Sequence, residues 1–218
     1  GAVFRLNRAG VAVGSFGKGV LKHPTGLARD AVNGRVYVAD THLHQINVFD
    51  DTGNVLATFG SGQRSEAPGE FNSPTHLAFA QGKLYVADTL NARIQVLGVE
   101  QTPGPVATTA PATARAAGLE AKVLQVFGRR GLFLGDLIRP KGVTVDAAGN
   151  IYVVESYYDH LLVFNSQGEL LLPMGGAGSG TGQFFLPAGV WSDQRGRIYV
   201  ADMFNGRVVV FEYLGEGA

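Results

Sequence analysis

Apolar residues in this chain fall in short runs broken by glycine, asparagine and aspartate, with no stretch that keeps a helical period. Val36-Tyr37-Val38-Ala39, Leu84-Tyr85-Val86-Ala87, Ile151-Tyr152-Val153-Val154 and Ile198-Tyr199-Val200-Ala201 are typical: rich in β-branched and aromatic side chains, and bounded by turn formers. Such runs predict strands.

The runs also repeat. Strand-opening prolines stand at Pro24, Pro74, Pro140 and Pro187, and a tyrosine follows each by 13, 11, 12 and 12 residues. An acid lies three residues after each tyrosine: Asp40, Asp88, Glu155 and Asp202. Five further on stand Gln45, Arg93, His160 and Arg207, and nine after the acid stand Phe49, Leu97, Phe164 and Phe211. Four strands per unit of about 40–50 residues, here labelled a to d, predict an all-β fold of propeller blades, each covering its neighbour's open face.

The boundaries follow. Residues 1–17 read as a half blade of strands c and d, 18–60 and 129–175 as blades, and 176–218 as an incomplete blade ending after its strand c. Residues 61–128 form a blade carrying about twenty extra residues, placed near 98–122; prolines, alanines and threonines there predict a flexible loop. The halves do not sum to whole blades, so the expectation is four recognisable blades plus a half blade within a five- or six-bladed ring. The start at Gly1, with neither Met nor a leader, reads as a trimmed or processed piece.

The unit resembles the NHL repeat. The carrying residues are Phe71-Asn72-Ser73-Pro74, Leu84 to Asp88, Asp88-Thr89-Leu90-Asn91-Ala92-Arg93-Ile94, and Asp202-Met203-Phe204-Asn205-Gly206-Arg207-Val208. The resemblance implies a propeller, commonly six-bladed, that serves as a scaffold with protein partners. For bacteria it also implies export and a place in a larger envelope or surface complex. Within the motif, Asp88 with Arg93 and Asp202 with Arg207 are expected to pair and fix the b–c turn. The other two units depart, setting Asp40 against Gln45 and Glu155 against His160.

Composition narrows the chemistry. No cysteine is present, which excludes disulfides, thiolate metal sites and a thiol nucleophile. Lys+Arg and Asp+Glu are both 18, and basic residues cluster only at Arg129-Arg130 and at Arg139 and Lys141, which argues against nucleic acid as partner. No apolar run approaches the roughly 20 residues of a membrane span. The 31 glycines mark joints between strands. Gly176 to Gly182 lacks the Gly-Lys-Ser/Thr and following helix of a phosphate loop.

In a propeller the b–c and d–a loops share one face, the default place for a ligand. His23, His42, His44, Tyr157, Tyr158, Asp159 and Phe204 belong on it, while Thr25, Thr75, His76, Lys141 and Ala188 start strand a beside the channel. Partner binding is assigned to Tyr157, Tyr158, His160, Phe204, His42, His44 and Lys141, because aromatic anchors dominate protein contacts. The alternative is a metal-dependent lyase using His42, His44 and His76. Val38 to Gln45 is similar to a histidine-bearing loop of the peptidyl-hydroxyglycine lyases, which share the fold and use zinc at the channel mouth. Only His44 matches their loop ligand, and Thr25, Thr75, Lys141 and Ala188 stand where those enzymes carry histidine. The binding reading calls for no cofactor.

Overall fold

A computed structural model describes residues 1–102, 118–193 and 195–212. A leading hairpin pairs β1 (Val3–Leu6) with β2 (Ala12–Phe16). Blade 1 comprises β3 (Pro24–Asp30), β4 (Arg35–Asp40), β5 (Gln45–Asp50) and β6 (Val55–Phe59). Blade 2 comprises β7 (Pro74–Ala80), β8 (Lys83–Asp88), β9 (Arg93–Thr102) and β10 (Gly118–Phe127). Blade 3 comprises β11 (Pro140–Val145), β12 (Ile151–Glu155), β13 (His160–Phe164) and β14 (Leu170–Gly175). Blade 4 shows β15 (Pro187–Ser192), β16 (Arg197–Asp202) and β17 (Arg207–Glu212). Every sheet is an antiparallel meander of two, four, four, four and three strands, the expected propeller pattern.

In blades 1 to 3, strands b and c are sandwiched between neighbouring blades, so they are apolar on both faces; all six residues of β4 are buried. Tyr37, Ile46 and Val48 of blade 1 pack with Leu77, Leu84 and Phe71 of blade 2. Ile94 and Val96 meet Val143, Ile151 and Leu162 at the next interface. Phe16 of the leading hairpin closes over Val36, Val38 and Phe49, with the Phe16 and Phe49 rings edge to face at 5.0 Å. Each such ring stabilises the stack by about 1.5–3 kcal/mol relative to exposure.

The inner strands β3, β7, β11 and β15 adjoin one another in order around a channel of about 340 Å³ lined by Leu27, Arg29, His76, Thr144, Trp191 and Ser192. In all four, the register slips one residue after the opening proline, across Thr25, Thr75, Lys141 and Ala188. A bulge of this kind re-aims the extra side chain. Two residues after the proline, Gly26 and Gly142 face the next blade's backbone so closely that a Cβ would lie 2.6 Å from the Thr75 carbonyl oxygen and 3.0 Å from the Val190 nitrogen.

The insertion differs from expectation at its ends. Residues 98–102 and 118–122 continue the c–d hairpin as paired strand, Gly98 opposite Lys122 through Thr102 opposite Gly118. The cause is alternation: Leu119, Ala121 and Val123 pack on the core between blades 1 and 2. The proline-, alanine- and threonine-rich middle, 103–117, lies outside the described residues.

Candidate functional site

The loop face is built around the acid that ends each strand b. In blade 2, buried Asp88 accepts from Arg93 Nε at 2.7 Å, Asn91 Nδ2 at 2.8 Å and the Asn72 amide at 2.7 Å. The guanidinium also donates to the carbonyls of Glu66, Ala67 and Glu70, gathering the d–a joint against the b–c turn. Blade 4 repeats the device: Asp202 accepts from Arg207, Asn205 and the Phe185 amide, and Arg207 holds the carbonyls of Ser179, Gly180 and Gln183. The expected Asp–Arg pairs are therefore architectural.

Blades 1 and 3 use the acid differently. Asp40 accepts four backbone N–H groups, from Lys22, His23, His42 and Leu43. Glu155 accepts those of Ile138, Arg139, Tyr157 and Tyr158. In both blades the acid thus takes the amide directly before the strand-opening proline. In blades 2 and 4 it does not: Ser73 and Leu186 sit in the left-handed region at φ 53° and 49°. Their N–H groups turn to the preceding blade, Ser73 to His44 Nδ1 at 2.9 Å and Leu186 to Asp159 Oδ1 at 2.6 Å.

His44 and Asp159 occupy equivalent turn positions at φ 52° and 57°; Ala92, at φ 55°, and Gly206, at φ 62°, fill that position in the other blades. His44 and Asp159 are therefore inter-blade clamps. His44 is mostly buried, and its pKa is lowered by burial first, then by Arg64 and His42.

The histidine triad proposed for a metal is not brought together. His42 and His44 line one pocket, of about 350 Å³, and His76 lines the channel. The His76 Nδ1 lies 3.3 Å from the Val143 amide and 3.2 Å from its carbonyl oxygen, and burial lowers its pKa. His76 stands where blades 1, 3 and 4 have Gly26, Gly142 and Gly189, and its ring bridges to the next inner strand. Both His44 nitrogens face N–H donors. Among the described residues no group of three His, Asp or Glu could hold a metal ion, so these residues do not fit a zinc site of the lyase type.

The other predicted residues distribute as follows. Tyr157 is exposed and meets half-buried Tyr158 edge to face at 5.1 Å. Phe204 is exposed and packs on Phe185 of its own blade's d–a joint at 5.3 Å. His160 takes the place held by arginine in blades 2 and 4; being shorter, it leaves a pocket of about 120 Å³ between Glu155, Tyr158 and the joint Leu132–Asp136. Lys141 is half-buried at its bulge, its pKa lowered by burial and then by Arg139.

Residues missed from sequence are Leu132, Phe133 and Leu134, exposed by 82%, 78% and 64% at the tip of the joint that borders Tyr158. Their signal is three successive apolar residues set between two glycines, Gly131 and Gly135, at the tip of the joint. The tip is not loose: Asp136 accepts from Arg129 at 2.9 Å and from the Phe133 amide at 3.0 Å.

Comparison with known proteins agrees with this architecture. A sequence profile described as NHL repeat matches residues 21–49, and one described as 6-bladed beta-propeller matches residues 140–216. NHL repeat-containing protein 2 of Bos taurus is 38% identical over 89 residues, covering 37% of this chain and 12% of that protein. Protein brain tumor of Drosophila melanogaster is 27% identical over 169 residues, covering 74% of this chain and 13% of that protein. The chain thus spans about an eighth of the length of these curated relatives. Virginiamycin B lyase from Staphylococcus aureus superposes with a TM-score of 0.57 at 10% identity, over 98% of this chain and 63% of that one, a likeness of fold alone.

Proposed function

This chain is an NHL-repeat β-propeller, and from that premise we propose that it is a binding platform whose b–c and d–a loops present a docking face to a protein partner. The observation that carries the reading is the set of exposed apolar side chains on that face. Leu132, Phe133, Leu134, Tyr157, Phe185 and Phe204 project from turns held by buried acids and arginines. Water-exposed aromatics on rigid turns lose little conformational freedom when covered, and this composition marks the centre of protein interfaces. Tyr158 and His160 line the adjoining pocket. His42 and His44 extend the face over blade 1, and Lys141 stands where it meets the channel. The mechanism is geometric: the blades fix the spacing of loops, and a partner spans several of them. No step of this reading uses a metal or cofactor.

The test replaces Phe133, Tyr157 and Phe204 together by serine and compares partner capture from the source cell's extract with that of wild type. Val32→Ser, on the opposite rim and 94% exposed, is the control. The expected result is a set of proteins retained by wild type and by Val32→Ser but lost from the triple variant, with unfolding midpoints unchanged. Equal retention by the triple variant would refute the docking face.

A further inference from the structure

The pocket between blades 1 and 2 holds two hydrogen-bond donors aimed at one imidazole. Arg64 Nε lies 3.3 Å from His44 Nε2, and the Ser73 amide lies 2.9 Å from His44 Nδ1. A neutral imidazole has one acceptor nitrogen, so it can satisfy one of these donors and not both. The shorter contact, to a backbone N–H, sets Nδ1 as the acceptor. Nε2 therefore carries the proton, and Nε2–H and the Arg64 N–H face each other with no acceptor between them.

The protein supplies none. The pocket is lined by His23, Thr41, His42, His44, Arg64 and Ser73, with no carboxylate among the described residues. The acids that act on His44, Asp40 and Asp88, are already engaged, Asp40 by four backbone amides and Asp88 by Asn72, Asn91 and Arg93. The Thr41 hydroxyl donates to the Pro74 carbonyl at 2.8 Å. Arg64, His23 and His42 are exposed, so the arginine donor and two further imidazoles open to solvent, and mostly buried His44 lines the same pocket.

We propose that this pocket binds a carboxylate of an acidic segment on the protein partner, received between His44 Nε2–H and the Arg64 guanidinium. A carboxylate oxygen resolves the donor–donor conflict, and an arginine fork suits its planar geometry. The proposal rests on the reading of the loop face as a protein-docking surface and names what that partner must carry.

The probe is a fluorescein-labelled peptide of alternating Asp and Gly, compared by anisotropy with its Asn–Gly isostere. The acidic peptide should bind, the amide peptide should bind about tenfold more weakly or worse, and Arg64→Gln should cost about tenfold in affinity. Arg64 is a surface residue, so the variant should fold, and Lys83→Gln, the same charge change on the opposite rim, should leave binding unchanged. Equal binding of the two peptides, or equal losses from Arg64→Gln and Lys83→Gln, overturns the site. So does an oligouridine RNA that displaces the peptide and itself loses affinity in Arg64→Gln, because the pocket would then serve phosphate. Failure here with partner capture still lost in the aromatic triple variant refutes only the carboxylate pocket; failure here with capture retained by that variant refutes the face as well.

Discussion

Blades 1 and 3 and blades 2 and 4 solve one problem in two ways. Each must satisfy the backbone amides where the d–a joint enters strand a, using an acid with about four acceptor sites. Asp40 and Glu155 spend all four on backbone amides. Asp88 and Asp202 spend theirs on an arginine, an asparagine and one joint amide, with Gln95 Nε2 a fourth donor to Asp88 at 3.2 Å. The arginine ties down three joint carbonyls, and the amide before the proline is left over. That amide goes to the preceding blade, to His44 or Asp159. An arginine inside one blade therefore dictates a polar, left-handed residue in the blade before it, and the repeat unit of the polar network is a pair of blades.

The largest test of this contrast is charge removal. Asp88→Asn leaves the Arg93 guanidinium, 11% exposed, without its counter-ion, and should cost about 3 kcal/mol or more. Asp40→Asn removes no salt bridge and keeps one carbonyl oxygen for the amides, and should cost about 1–2 kcal/mol. Urea midpoints of the two variants measure the difference, and equal losses would mean the two arrangements are energetically the same.

A smaller effect separates the two clamps, because one is an imidazole and the other a carboxylate. His44→Ala leaves the Ser73 amide unpaired, at a cost of about 1–2 kcal/mol. The folded protein resists protonating His44, its pKa depressed by burial and by Arg64 and His42, while the unfolded chain takes the proton near the ordinary 6.5. The unfolded state then binds more protons than the native state below that value, so this stability is present at higher pH and is lost as pH falls through about 6.5. His76, depressed by burial, has the same sign. Thermal midpoints from pH ~7.5 to ~5.5 should decline in wild type, decline less in His44→Ala and keep the wild-type slope in Asp159→Asn. An unchanged slope in His44→Ala would remove the histidine clamp from the account.

How much of this was legible in the sequence follows from which interactions are local. Blade order, strand positions and the Asp88–Arg93 and Asp202–Arg207 pairs lie within one repeat, at spacings the sequence displays four times. The arginines Arg93 and Arg207 are visible, but their consequence for the preceding blade is not. It falls on His44 and Asp159, one blade away, through a backbone φ at Ser73 and Leu186 that side-chain identity does not announce. His42, His44 and His76 suggest one ligand set because the b–c turn of blade 1 and the start of strand a in blade 2 lie toward the same face. The bulge after the proline and the glycine-lined approach between inner strands put His76 against Val143 in the next blade instead. The apolar tip Leu132–Leu134 belongs to no repeat position, so the repeat does not point to it.

The finest test rebuilds blade 3 in the image of blade 2. His160→Arg places a guanidinium in the pocket of about 120 Å³ beside Glu155. Glu155 is already filled by four amides, so the new pair can form only if Arg139 gives up its bond and turns to the left-handed region. Its amide would then point toward Ala92, which offers no acceptor. His160→Arg alone should accordingly change stability by about 1 kcal/mol or less. Ala92 already sits at φ 55°, a conformation aspartate tolerates better than most residues. Ala92→Asp would supply the missing acceptor while burying a charge, and alone it should destabilise. Together the two should be more stable than the sum of their separate effects by about 1 kcal/mol. Simple additivity would mean that the alternation reflects joint geometry alone, with arginine and clamp independent. Coupling would make the pair of blades the unit in which these residues act.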